Sequence, residues 1–277
     1  LGQWTVEKKS VENGVQEIEL NSWREFFDLT VNTFSGAPAY IYRGQSNYDW
    51  PLRSSLDRLR ARYPERKNLT CDIPHFFPVP PISEEEQLKA FRRSIRGRRG
   101  QTPSTLNDDE CWALGQHHGL ATPLLDWTRF PFVALFFAFA EESPLDDAVK
   151  RSAPADRGVY ALSISTIETS ANNDSSGVRI ISPEGDADYR LVSQGGILLR
   201  MPAESDLESY VSGRFEGETP DATLIKVKIP DNDRHGCLVA LDKMNINYMT
   251  LFPDIGGAAK YVNSLWQPGH ENSLPYV

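Results

Sequence analysis

The longest uninterrupted apolar run, Phe130 to Ala140, holds eleven residues. A helix built from it is apolar on every side. It is too short to span a bilayer, which takes about 20 residues, so it belongs inside a protein core. Pro131 falls in its first turn, where proline is tolerated, and the expected helix covers 130–142. The rest of the chain must build layers around it, and 277 residues suffice. Forty per cent hydrophobic and 24% charged residues fit a globular protein and exclude wholesale disorder.

The charge sum of −9 argues against a generically basic nucleic-acid binder. The average hides a contrast. Residues 53–99 carry 12 Lys and Arg against six Asp and Glu, so that stretch is +6 and the remainder −15. Three widely spaced cysteines, Cys71, Cys111 and Cys237, form no CxxC pair, which excludes a cysteine zinc site and suits a reducing cytosol. The N-terminus lacks a signal-peptide layout. The expectation is a cytoplasmic chain with no membrane partner.

Along the chain, Ser22-Trp23-Arg24-Glu25 reads as a capping box opening a helix whose Trp23, Phe26, Phe27 and Val31 share a face. That helix should stop near Ser35-Gly36-Ala37-Pro38. Ala39 to Tyr42 reads as a strand that delivers Arg43-Gly44-Gln45 at its end. The four prolines of 72–82 forbid a regular helix there. Ser83 opens a helix with acids at its start and arginines toward its end, which a solvated helix prefers. The stretch 97–105 reads as a loop. Asn107 caps a helix that Gly119 stops. Thr122–Trp127, Gly158–Ser165, Gly196–Met201 and Ala222–Ile229 read as strands. Glu204–Val211, Cys237–Met244 and Gly256–Leu265 read as helices. No repeat or linker divides the chain. The expectation is a single α+β domain over 1–277, with helices packed on a mostly antiparallel central sheet. Residues 1–38 form a helical lead-in, 39–265 the core with a basic insertion near 53–105, and 266–277 a tail.

Nucleotide P-loops, GxGxxG, HExxH and GxSxG are all missing. His117 and His118 are adjacent, point apart on a helix and make a poor metal pair. Two segments stand out. In Tyr42-Arg43-Gly44-Gln45, the arginine fork suits phosphate or pyrophosphate, and the glycine permits close backbone approach. Arg43 can equally pair with a core carboxylate. Residues 116–128 (QHHGLATPLLDWT) set polar groups in apolar surroundings, so a buried Asp126 needs a partner, for which Arg43 is the candidate. Trp127 or Tyr42 offers a flat face for stacking. His117 or His118 could act as acid, base or phosphate contact, or simply pack.

These two segments resemble the FRG domain family, which takes its name from a Phe/Tyr-Arg-Gly motif. The family's second block is similar to QHYGLPTRLLDWT, followed by a proline and an ALYFA-like helix. Here it reads QHHGLATPLLDWT, then Arg129-Phe130-Pro131 and VALFFAFA. Weaker blocks, Arg190 to Gly196 and Leu251 to Gly257, extend the resemblance over about residues 40–262. His118 stands where the family has Tyr. Ala121 and Pro123 replace its Pro and Arg, so one cationic group of the site is missing.

A remoter similarity, to mono-ADP-ribosyltransferases, implies a split β-sandwich and a nicotinamide dinucleotide (NAD) as substrate or ligand. It also implies ADP-ribose transfer to a protein or nucleic acid, or cleavage of the nicotinamide bond. On that resemblance Arg43 holds the pyrophosphate, and Tyr42, Gly44, Gln45, His118, Trp127 and Thr128 line the ligand. His117, Asp126 and Gln194 join Arg43 as reacting groups. Gln194 stands near the position of the catalytic Glu, and a neutral amide stabilises positive charge poorly. The alternatives are another acid, Asp126 or Asp254; phosphotransferase-like chemistry on Arg and His; a non-catalytic nucleotide or partner sensor; or nucleic-acid binding through 53–99. The family implies a bacterial or viral toxin or phage-defence setting.

Overall fold

The computed structural model describes residues 7–8, 10–34, 39–64, 83–100, 105–140, 155–171, 177–181, 189–217 and 221–266. The expectations for 72–82, for the tail beyond residue 266 and for Cys71 lie outside them. Eight strands are described: β1 (Glu7–Lys8), β2 (Val15–Glu19), β3 (Tyr40–Gln45), β4 (Leu124–Thr128), β5 (Arg157–Ser163), β6 (Arg179–Ile181), β7 (Gly196–Arg200) and β8 (Leu224–Ile229). They form one sheet in the order β1-β2-β8-β5-β3-β4-β7-β6. β2 and β8 run parallel, and every other neighbouring pair is antiparallel. The structure is thus mixed helix and sheet, with a mostly antiparallel sheet as expected. Residues 1–38 differ from the helical lead-in: β2 pairs with β8 along five positions and extends the sheet. β2 escaped the sequence reading because VQEIE carries too few apolar residues, and the parallel partner is 209 residues away at Val15–Leu224.

The helices are α1 (Glu25–Thr33), α2 (Ser55–Arg62), α3 (Glu84–Ser94), α4 (Asp108–His117), α5 (Pro131–Ala140), α6 (Ile164–Ala171), α7 (Tyr189–Ser193), α8 (Leu207–Arg214), α9 (Arg234–Lys243), α10 (Tyr248–Leu251) and α11 (Ile255–Ser264). None is long and apolar enough to cross a membrane among the described residues. Ser83 and Asn107 start α3 and α4 as expected, and each does so through a reciprocal capping box, with Glu86 and Glu110. The start of α1 differs. Glu25 reaches back to the Asn21 backbone N–H at 2.9 Å rather than to Ser22, and Val31 is solvent-exposed. Leu29 takes the buried position instead.

Side chains on one sheet face, including Ile18, Tyr42, Ala161 and Val227, pack with α1, α5 and α9. Further along, Leu124 and Leu198 pack with Leu88 of α3 and Trp112 of α4. The opposite face, with Ile41, Leu125, Trp127 and Leu162, is closed by Leu207 and Val211 of α8. β5 is buried at all seven positions because both of its faces are covered. Each large apolar side chain buried this way contributes roughly 1.5–3 kcal/mol.

α5 is the central helix that its composition requires. A buried helix end needs partners for its last carbonyls, and α5 has no basic residue in its last turn. Distant side chains supply them. Arg157 Nη1 donates to Ala138 O at 3.3 Å, Arg234 Nε to Phe139 O at 2.7 Å and Tyr248 Oη to Ala140 O at 2.8 Å. Arg157 is itself paired with Asp231 at 2.7 Å, both nearly buried.

The sheet is almost parted at one seam. β3 and β4 share a single paired position, Tyr42 opposite Thr128, whereas β3 and β5 share six and β4 and β7 five.

Candidate functional site

The parted seam opens a cleft of about 1450 Å³ between the α5 side and the α2–α4 side of the molecule. That is larger than a drug-sized ligand needs. β3 lays one wall. The arginine of the Tyr-Arg-Gly motif is not at the strand end, as expected, but at its fourth position, opposite Tyr160 of β5. Its Nη1 donates to the main-chain carbonyl of Asp126 at 2.6 Å. The expected Arg43–Asp126 partnership therefore exists, but through the backbone. Arg43 ties β3 to β4 where the ladder has opened, and its guanidinium lies in the cleft wall.

Gly44 has a different role from the one expected. A Cβ there would collide with the carbonyl oxygen of Ala134 and lie 2.6 Å from Ala138 N. The glycine lets α5 rest on β3, and the close backbone approach is to this helix. Tyr42 and Trp127 line the cleft but are core side chains, 4% and 3% exposed. Tyr42 lies edge-on to Phe34, and burial pushes its hydroxyl up to about 12. Neither presents a free stacking face. Trp50 does: it lines the same cleft and is 53% exposed. Gln45 is buried and donates to Trp50 O at 3.0 Å, which fixes the turn that carries this ring.

The opposite wall comes from α4 and β4. Gly119 adopts φ +85°, ends α4 and returns the chain toward β4. Alternation along β4 buries Leu125 and Trp127 and leaves Asp126 exposed, which corrects its expected burial. Its carboxylate accepts from Gln116 Nε2 at 2.5 Å, and Thr122 Oγ1 donates to Gln116 Oε1. The first and later residues of the QHHGLATPLLDWT block thus form one relay that orients Asp126. His117 and His118 close α4 beside it, with ring centroids 4.9 Å apart and edge-on, and both line the cleft.

Thr128 and Gln194 are more occupied than expected. Thr128 Oγ1 donates to Gln194 O at 2.6 Å and accepts from Phe130 N, just before α5. Gln194 Nε2 donates to Leu251 O at 3.0 Å and ties the turn between α7 and β7 to α10. A Glu in its place would set a carboxylate against that carbonyl, so the amide has a local reason. Asp254 caps α11 through Gly257 N at 2.9 Å and pairs with Arg190 Nε at 2.8 Å. The Gly257 N–H and then Arg190 hold its carboxyl below the usual range. The second pair of sequence blocks therefore meets at one corner of the cleft, chiefly as structure.

Six Lys and Arg side chains line the cleft among the described residues: Arg43, Arg58, Arg98, Arg99, Arg190 and Lys260. Only two carboxylates do, Glu110 and Asp126. In a chain of net −9 this is a local reversal of sign. Sequence reading missed Arg58, Arg98, Arg99 and Lys260 as cleft residues. Their charge was visible, but their convergence depends on where α2, α3 and α11 pack. Gln116 was legible as part of its motif, whereas Trp50 carried no signal beyond its residue type.

A family model matches the chain from just before β3 through α5. Residues 38–147 of the chain match the FRG domain. Both defining segments of the FRG resemblance, Tyr42 to Gln45 and Gln116 to Thr128, lie inside the match and meet in the cleft. The weaker blocks at 190–196 and 251–257 lie outside it. No curated protein and no solved structure matches the chain.

Proposed function

We propose that the FRG cleft binds a nicotinamide dinucleotide in the manner of an ADP-ribosyltransferase. The observation that carries this reading is the sign reversal at the parted β3/β4 seam, where six cations, Arg43 among them, and two carboxylates line the cleft among the described residues. A ligand that is anionic in its middle and aromatic at its ends suits such a site. Arg43 takes the pyrophosphate as a rigid fork. Trp50, with its exposed ring, takes the stacking role that Tyr42 and Trp127 are too buried to fill. A sheet nearly divided at one paired position is also what a split sandwich needs.

Breaking the nicotinamide bond sends its electron pair to the leaving ring and leaves positive charge on the ribose C1′. A fixed carboxylate stabilises that charge. Gln194 cannot supply one. Asp126 can, exposed in the cleft and oriented by Gln116. Water or an acceptor nucleophile then bonds to C1′ and gives up its proton. The expected result is nicotinamide release by wild-type protein that falls at least a hundredfold in Asp126→Asn, with the dinucleotide still bound.

The second reading is a sensor that binds the dinucleotide without turnover. The engagement of Gln194 with Leu251 favours it, because the position is committed to holding α10. Binding without release under any condition selects the sensor.

A further inference from the structure

We infer that single-stranded nucleic acid docks on the arginine shoulder at the mouth of the cleft. The end of α3 and the turn after it carry Arg93, Arg96, Arg98 and Arg99. None of the four has a carboxylate partner among the described residues. Other arginines of this chain do: Arg60 and Arg200 meet Glu84, Arg179 meets Asp109, and Arg92 of α3 itself meets Asp108 at 2.7 Å. Four guanidinium groups within seven residues repel one another, and no carboxylate of the described residues pairs with them. An external polyanion removes that repulsion.

The geometry selects the kind of polyanion. Arg98 and Arg99 turn into the cleft and join Arg58 there, while Arg93 and Arg96 stay exposed outside it. The shoulder therefore leads from open surface into a concavity, which suits a flexible strand better than a flat membrane. All four cations are arginines, whose forks match phosphate oxygens. The shoulder ends at a cleft that also holds the exposed Trp50 ring, on which a base can stack. The acidic remainder of the surface repels any anion broad enough to touch it, which restricts docking to a narrow strand at this shoulder. The inference needs the cleft but not the dinucleotide.

The test is fluorescence anisotropy of the whole chain with a labelled single-stranded oligonucleotide of about 12 nucleotides, as DNA and as RNA, across salt concentrations. The expected affinity falls with salt, with a log–log slope of about −0.7 for each phosphate neutralised. Arg93→Gln with Arg96→Gln should flatten that slope by about 1.4. Trp50→Ala should weaken binding about tenfold and leave the slope alone. A folded protein that binds neither oligonucleotide at low salt overturns the inference. So does a slope indifferent to the double substitution, or capture by phosphatidylserine vesicles alone. Dinucleotide bound without oligonucleotide sinks this inference and spares the reading above; the converse result sinks only that reading.

Discussion

Gly44→Ala is expected to leave little folded protein. The added methyl group has no flexible neighbour to displace. It meets the Ala134 carbonyl and lies 2.6 Å from Ala138 N, both main-chain atoms of the central helix. Overpacking a core typically costs about 1–3 kcal/mol, and a clash with backbone lies at or above the top of that range. Set against a total stability of about 5–15 kcal/mol, this is a large fraction. Chemical denaturation followed by tryptophan fluorescence measures it. Gly213→Ala is the control, because nothing lies within 4 Å of its added Cβ and it sits inside α8. That change should be neutral or slightly stabilising. Equal small effects at the two positions would show that α5 can lift off β3 without cost.

The second large effect is expected at Arg157. This side chain satisfies Ser46 O at 3.1 Å and Ala138 O at 3.3 Å, and pairs with Asp231 at 2.7 Å. The two partners' side chains are 10% and 8% exposed. Removing the arginine leaves a buried carboxylate and loosens the capping of the central helix. Breaking a buried pair in this way costs about 3–5 kcal/mol. Arg157→Ala should therefore lower the denaturation midpoint sharply, and Asp231→Ala added to it should restore part of the loss. If the double variant is no more stable than the single one, the stranded carboxylate is not the cause.

Much of the fold was legible because it rests on local rules. α3 and α4 were readable from their capping residues, α5 from its uniform hydrophobicity, and β5, β7 and β8 from strand-like runs. β2 and β6 were not, because short strands with polar residues form only when a sheet edge is available to pair with. The candidate site divided in the same way. That Tyr42 to Gln45 meets Gln116 to Thr128 followed from the motifs. Which side of β4 Asp126 faces, which tryptophan is exposed and why Gly44 is glycine depend on packing between elements far apart in sequence. Net charge was the poorest guide: the average of −9 conceals both the cleft and the arginine shoulder.

The most direct test of the account is calorimetric titration of the wild-type chain with the intact nicotinamide dinucleotide, repeated on Arg43→Lys. Lysine keeps the charge but loses the fork, which removes charge-assisted hydrogen bonds of about 1.5–3 kcal/mol. The expected result is one binding site per chain and at least a tenfold loss of affinity in a variant whose circular dichroism is unchanged. A folded wild-type protein that shows no binding, or an Arg43→Lys chain that binds equally well, would contradict it.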